Sequence, residues 1–189
     1  MRNNDLDLQL IKKQTPEICL DAVEHNGMAL KYVKRQTLEI CLAAVRQTGY
    51  ALEFVKKQTP EICLAAINQY GLALQFVKKQ TPEMCLIAVK QIGYALQYVK
   101  EQTPEICIAA VKQTGWTIKY VKKQTPELCM MAVKKSGFVL KYIKNQTPDL
   151  CLAAVEQDPS SIDYITDPIC LNAIRKQHPE LITKLYVRT

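Results

Sequence analysis

Residues 59–80 read TPEICLAAINQYGLALQFVKKQ, and close variants of this 22-residue stretch recur along nearly the whole chain. A cysteine follows four residues after the threonine that opens each copy, at Thr15, Thr37, Thr59, Thr81, Thr103, Thr125 and Thr147. Glycines mark the middle of the first six copies, at Gly27, Gly49, Gly71, Gly93, Gly115 and Gly137. Self-similarity at a fixed period indicates a repeat architecture, in which each copy forms one structural unit.

The first half of each copy predicts a short helix. Thr15 is a preferred N-cap residue, Pro16 loses nothing at the first helical position, and Glu17 complements the positive end of the helix dipole. The apolar residues that follow are spaced to form one buried stripe. We expect Gly27 to end this helix as a left-handed C-cap residue.

The second half of each copy predicts a second helix, which spans residues 50–57 in the second copy and ends in two lysines. Helices this short bury their apolar stripes only against neighbouring copies. The rival is one continuous coiled-coil helix with an 11-residue period, but each proline inside it would cost about 3 kcal/mol. The sequence therefore predicts an all-α protein, an α-solenoid of about seven helix-turn-helix repeats.

Both ends of the chain depart from the repeat. Residues 6–14 resemble a lone second helix, so residues 1–14 are predicted to be an N-terminal capping helix, followed by the array over residues 15–157. In residues 158–189 the spacing changes, and His178-Pro179 opens a final helix, which predicts an irregular repeat with a C-terminal capping helix. We expect the three segments to form one continuous structural domain.

Several function classes find no support in the sequence. Of the 189 residues 48% are hydrophobic, yet no apolar run is long enough to span a membrane. No glycine-rich phosphate loop and no catalytic carboxylate pair is visible, and His25 and His178 lie at opposite ends of the array. We therefore expect a cytoplasmic, non-enzymatic protein without cofactor, metal, membrane contact or small-molecule substrate.

Seven cysteines occupy one repeat position and predict a ladder of small core residues. Packed equivalent helices lie about 8–10 Å apart, beyond the roughly 7 Å Cα separation that a disulfide spans. The alternatives are a metal or redox site and a nucleophile, but there is no CxxC pair, and a buried thiol without a histidine stays protonated. The predicted core residues are Cys19, Cys41, Cys63, Cys85, Cys107, Cys129 and Cys151.

Within the second helix, the first, fourth and eighth positions vary from copy to copy and share one face. Large, partly apolar side chains beside changing polar ones describe a recognition strip for a protein partner. The alternative is that these side chains only fill space against the next repeat. The predicted strip consists of Tyr50, Leu72, Tyr94, Trp116 and Phe138.

A lysine recurs once per repeat, and the formal net charge is +7. A regular cationic row beside aromatic residues could follow a nucleic-acid backbone while bases stack on the rings. The alternative is that each lysine complements a helix C-terminus, and an acidic protein partner would use the same ridge. The predicted ridge consists of Lys12, Lys34, Lys56, Lys78, Lys100, Lys122 and Lys144.

The recurring Thr-Pro-Glu, the cysteine and the aromatic-Val-Lys end resemble a family of short helical repeats catalogued only as a domain of unknown function, found in large DNA viruses, protists and bacteria. The resemblance covers residues 6–155 and implies an intracellular interaction module in a viral or host-directed setting. The leading hypothesis is a protein-binding scaffold that uses the aromatic strip. The second hypothesis is sequence-independent nucleic-acid binding along the lysine ridge.

Overall fold

The computed structural model describes residues 8–180, which form helices and short connecting segments. The chain makes two compact units, one ending at Glu101 and the other beginning at Gln102. Each unit repeats an α-helix followed by a short 3₁₀-helix (η), so the predicted all-α class and the helical-repeat architecture of an α-solenoid are confirmed.

The first unit contains four repeats. Its α-helices are α1 (Pro16–His25), α2 (Leu38–Gln47), α3 (Pro60–Gln69) and α4 (Pro82–Gln91). Its 3₁₀-helices are η1 (Gly27–Tyr32), η2 (Gly49–Phe54), η3 (Gly71–Phe76) and η4 (Gly93–Tyr98). Each α-helix packs on the next α-helix and each η helix on the next η helix, which gives the unit two helical layers.

The second unit has the same two layers. Its α-helices are α5 (Pro104–Gln113), α6 (Pro126–Lys135), α7 (Pro148–Gln157) and α8 (Pro168–Gln177). Its 3₁₀-helices are η5 (Gly115–Tyr120), η6 (Gly137–Tyr142) and η7 (Pro159–Tyr164). The core between the layers holds fully buried side chains from both, such as Val133 of α6 and Leu140 of η6.

The α-helices begin as the sequence predicts. Thr59 has extended backbone dihedral angles, and its Oγ1 accepts a hydrogen bond from the N–H of Ile62 at 3.3 Å. This bond satisfies one of the amide groups that have no partner inside the helix. Each α-helix from α1 to α7 has a threonine in this position with the same bond.

The second helix of each repeat is a 3₁₀-helix of six residues and is shorter than the predicted segment. In η2 the N–H of Ala51 donates to the carbonyl of Thr48 at 3.0 Å, and the N–H of Val55 donates to that of Leu52 at 3.2 Å. Gly49, Leu52 and Val55 are all buried. This three-residue spacing aligns side chains along one face of a 3₁₀-helix, whereas an α-helix would rotate them apart.

The prediction of left-handed C-cap glycines is wrong. No described glycine has a positive φ, and the C-cap residue of α2 is Thr48, whose backbone is extended. Gly49 instead begins η2 where the next repeat approaches closely: a Cβ there would lie 2.6 Å from the carbonyl oxygen of Ala66. Its N–H also donates to Oε1 of Gln69 at 2.6 Å, so contact with the following α-helix explains the glycine.

A glutamine in the loop before each α-helix from α1 to α7 joins successive repeats. Nε2 of Gln58 donates to the carbonyls of Phe76 at 2.9 Å and Leu52 at 3.5 Å. Its Oε1 accepts hydrogen bonds from the N–H of Lys78 at 3.0 Å and from Sγ of Cys63 at 3.8 Å. These glutamines, which share most of this pattern, are Gln14, Gln36, Gln58 and Gln80 in the first unit and Gln102, Gln124 and Gln146 in the second.

The last repeat interrupts this pattern. Pro159 begins η7 and has no N–H to donate, and Asp167 rather than a threonine caps α8 through a 2.8 Å bond from the N–H of Ile169. The loop over residues 165–167 contains no glutamine. Leu8 to Leu10 form a turn, whereas residues 1–7 of the predicted N-terminal cap and residues 181–189 of the final helix lie outside the described residues. The predicted division into caps and array stays a prediction.

Candidate interaction surface

The seven predicted core cysteines are buried and free. Cys63 is only 4% exposed, and its thiol donates to Oε1 of Gln58 at 3.8 Å. Burial raises the pKa of the Cys63 thiol and of its equivalents such as Cys107. A thiol with a raised pKa stays protonated at neutral pH and is a poor nucleophile and metal ligand.

In the first unit, the predicted strip residue Tyr50 is both packed and accessible. It is 36% exposed, and its ring centroid lies 5.2 Å from that of Tyr70 and 6.0 Å from that of Phe76. A hydrogen bond with Tyr70 raises the pKa of Tyr50, which keeps the phenol neutral. Leu72 is half-buried and Tyr94 is 38% exposed.

In the second unit, the strip residues Trp116 and Phe138 pack against aromatic residues of the next repeat. The Trp116 ring lies 6.0 Å from Tyr142, and the Phe138 ring lies 6.0 Å from Tyr164, both nearly edge to face. Trp116 and Phe138 are half-buried. Edge-to-face contacts of this kind stabilise the stack and leave part of each ring accessible to a partner.

Two exposed lysines of the second unit lie over these rings. The ammonium of Lys141 is 5.2 Å from the ring centroid of Trp116, 5.0 Å from that of Tyr142 and 5.6 Å from that of Tyr164. The ammonium of Lys119 lies 6.0 Å from the Tyr142 centroid. Cation–π attraction holds both ammonium groups on the η surface. We call Trp116, Lys119, Lys141, Tyr142 and Tyr164 the cation–aromatic patch.

The predicted lysine ridge forms an ordered ladder in the first unit. The ammonium of Lys34 donates to the carbonyl of Lys12 at 3.2 Å, and that of Lys56 donates to the carbonyl of Lys34 at 2.9 Å. Lys100 donates to the carbonyl of Lys78 at 2.8 Å. Each of these lysines therefore satisfies a loop carbonyl of the preceding repeat, a structural role that accounts for the regular spacing.

In the second unit the ridge residues Lys122 and Lys144 line a groove of about 610 Å³ that is also lined by Glu127 and Asp149. Hydrogen bonds from its own backbone N–H and from Thr125 lower the pKa of Glu127, so that carboxylate is ionised at neutral pH. Because acids and lysines share the groove, the ridge in this unit does not form a purely cationic surface.

Two features of this surface were absent from the sequence-based predictions. One is the second row of aromatic residues, represented by Phe76, Tyr142 and Tyr164, which pack edge to face against the predicted strip. The other is the loop glutamine, of which Gln58 is an example. Both recur at a fixed place in every repeat of the array, and that recurrence is the signal from which they could have been identified.

Comparison with known proteins identifies a family for most of the chain. The family model described as Domain of unknown function (DUF4116) matches residues 15–58, 59–103, 81–125, 103–146 and 125–170. From residue 59 onward the matches start 22 residues apart, in step with the repeat. No match was found among curated proteins or among solved structures. Within residues 8–180, no helix has the length and apolar character needed to cross a membrane.

Proposed function

The chain belongs to the family described as Domain of unknown function (DUF4116), and we propose that it is a non-enzymatic scaffold that binds another protein through its η helices. The observation that carries this proposal is the half-exposed aromatic strip. Trp116 and Phe138 contribute to the packing of successive repeats and still present part of each ring at the surface. Large aromatic side chains in such positions dominate the energetics of many protein interfaces.

Variation among the repeats supports the same surface. The core residues of the η helices are nearly constant, whereas the strip and the fourth position change: Glu53 and Gln75 in the first unit correspond to Lys119 and Lys141 in the second. Residues needed only for the same stacking contact would be the same in every repeat. A surface that differs from repeat to repeat can distinguish one partner from another.

The test is selection of peptides from a random displayed library on the wild-type protein, followed by affinity measurements on two variants. Trp116→Leu introduces the residue that the third repeat carries at this position, Leu72, so the substitution is compatible with the fold. Ile108→Leu changes the exposed face of α5 and is the matched control. We expect the selected peptides to bind Trp116→Leu at least tenfold more weakly and the control unchanged. Equal binding to all three proteins would exclude the η surface as the binding site.

The second candidate function is sequence-independent nucleic-acid binding along the lysine ridge. The net charge of +7 and the exposure of the ridge residues Lys34, Lys56 and Lys100 support it. The test is fluorescence anisotropy with short labelled RNA and DNA at about 50 and 200 mM salt, a range over which phosphate-dependent affinity falls by orders of magnitude. Absence of binding at both salt concentrations would exclude this function.

We further propose that the protein works in a reducing, cytoplasmic compartment. The support is chemical: all eight cysteines are free and buried, and disulfides are the usual fate of cysteines in secreted proteins. A viral or host-directed setting remains part of this proposal on the basis of the family resemblance alone.

A further inference from the structure

We propose that the cation–aromatic patch of the second unit binds an acidic, extended segment of a partner protein, an inference that rests on the proposed function. The patch presents two lysine ammonium groups, from Lys119 and Lys141, on a platform of aromatic rings. Both lysines are exposed. The partner therefore contributes carboxylates to the ammonium groups and apolar side chains to the ring edges.

The positions of the ammonium groups favour carboxylates over nucleic-acid bases. Lys141 lies 5.0 to 5.6 Å from the centroids of three rings, so a base could stack there only by displacing it. A carboxylate can bind the outward N–H groups of the same ammonium while the rings stay in place. Because the ring contacts restrict the lysine, less side-chain freedom is lost when the carboxylate binds.

The charged residues at one position of η5, η6 and η7, which we call the charge row, also define the order of charges in the partner. Lys119, Lys141 and Asp163 occupy the same position in η5, η6 and η7, and all three are exposed. A complementary segment carries two acidic residues and then a basic one. Packed helices lie about 8–10 Å apart, which three residues of an extended chain cover at about 3.3 Å each. We therefore expect the three charged residues of the partner segment at every third position.

The first unit provides a natural comparison for this surface. Glu53 of η2 and Gln75 of η3 stand at the positions of Lys119 and Lys141, so the corresponding surface of that unit carries no lysine pair. The proposal thus assigns the acidic segment to the second unit. It also supplies a tolerated substitution, since glutamine already occupies this position in η3.

The test is fluorescence anisotropy of the full chain with a labelled fifteen-residue peptide that has glutamate at every third position and leucine and serine between, so that it matches the two lysines and opposes Asp163. Lys119→Gln combined with Lys141→Gln removes the two patch charges, whereas Lys57→Gln combined with Lys79→Gln removes two exposed loop lysines of the first unit. We expect at least tenfold weaker binding for the first pair and less than a twofold change for the second. Equal losses for both pairs would show non-specific attraction and overturn the proposal.

A gain of binding provides the second readout. Asp163→Lys extends the charge row to three lysines, and we expect it to tighten binding of the same peptide at least threefold, a result that misfolding cannot produce. Weaker or unchanged binding would contradict the proposed charge row. Single-stranded RNA that competes with the peptide and is lost with the patch lysines would assign the patch to nucleic acid instead.

The outcomes also separate this inference from the proposed function. If the glutamate peptide fails to bind while library-selected peptides still require Trp116, the acidic segment is wrong and the η surface remains the binding site. If neither class of peptide depends on Trp116 or on the patch lysines, both proposals fail.

Discussion

At the scale of single residues, the loop glutamine joins one repeat to the next through hydrogen bonds. Both amide hydrogens and the carbonyl oxygen of Gln58 are used, in bonds to two η helices and to the α-helix that follows it. A leucine of similar size would leave these backbone groups unpaired. This explains a fixed glutamine immediately before each threonine of the array.

Gln58→Ala should therefore lower the free energy of unfolding by about 2–4 kcal/mol, since partly buried backbone groups lose their partners. Urea denaturation followed by circular dichroism measures this. Gln75→Ala is the control, because the exposed Gln75 side chain donates to the carbonyl of Leu72 within its own helix, at 3.1 Å. A loss below 0.5 kcal/mol in Gln58→Ala, on the scale of ordinary surface changes, would refute the bridging role.

Gly49→Ala tests the explanation given for the glycines. The added Cβ would lie 2.6 Å from the carbonyl oxygen of Ala66, a backbone atom that cannot move without shifting α3. We expect destabilisation of about 1–3 kcal/mol in the same denaturation experiment. If the variant were instead more stable by about 0.4–1 kcal/mol, as for glycines at unhindered positions, the close approach would not exist.

At the scale of elements, α2 differs from its equivalents because Leu38 replaces the proline at its first position. Thr37 has φ of −95° and ψ of 165°, an extended conformation that accepts a following proline. The N–H at this position has no partner inside the helix, so proline removes no helical bond.

Compared with Leu38→Ala, Leu38→Pro should have a free energy of unfolding about 0.5–1 kcal/mol higher, because proline restricts the unfolded chain. Leu38→Ala is measured beside it, since Leu38 is 50% exposed, lines a surface groove together with Leu20 of α1, and loses its side chain in both variants. If the Leu38→Pro variant were less stable than the Leu38→Ala variant, the start of α2 would not be equivalent to the starts of the other α-helices.

Some features of the helices follow from the local sequence, and others depend on contacts between repeats. The Thr-Pro-Glu start of each α-helix follows from local chemistry, which is why the caps and the repeat period were predictable. The 3₁₀ form of the second helix depends on contacts with the next repeat, although Gly49, Leu52 and Val55 already carried its three-residue spacing. The lysine–ring contacts of Lys141 involve residues from three repeats, and no single copy of the sequence contains them.

At the scale of the whole molecule, the buried thiols report on opening of the repeats. Seven cysteines lie at equivalent buried places, and burial raises the pKa of thiols such as Cys63, Cys85 and Cys107. A thiol reagent reacts with the thiolate, so both access and ionisation are restricted in the folded protein.

We expect labelling by a disulfide reagent at pH 8 to be at least about 10³-fold slower for the native protein than for the chain in guanidinium, because modification requires opening. Raising the pH should speed labelling of both, with the folded chain remaining the slower. Several thiols reacting at the unfolded rate under native conditions would show that repeats open readily and that the cysteines are not core residues.

The central claim is that the η helices, and not the α-helices, contact the partner. Its most direct test is an NMR titration of the ¹⁵N-labelled protein with the tightest library-selected peptide. The account predicts that perturbed amide signals cluster in η5 (Gly115–Tyr120), η6 (Gly137–Tyr142) and η7 (Pro159–Tyr164). Perturbations confined to the exposed faces of α5, α6 and α7 would contradict it.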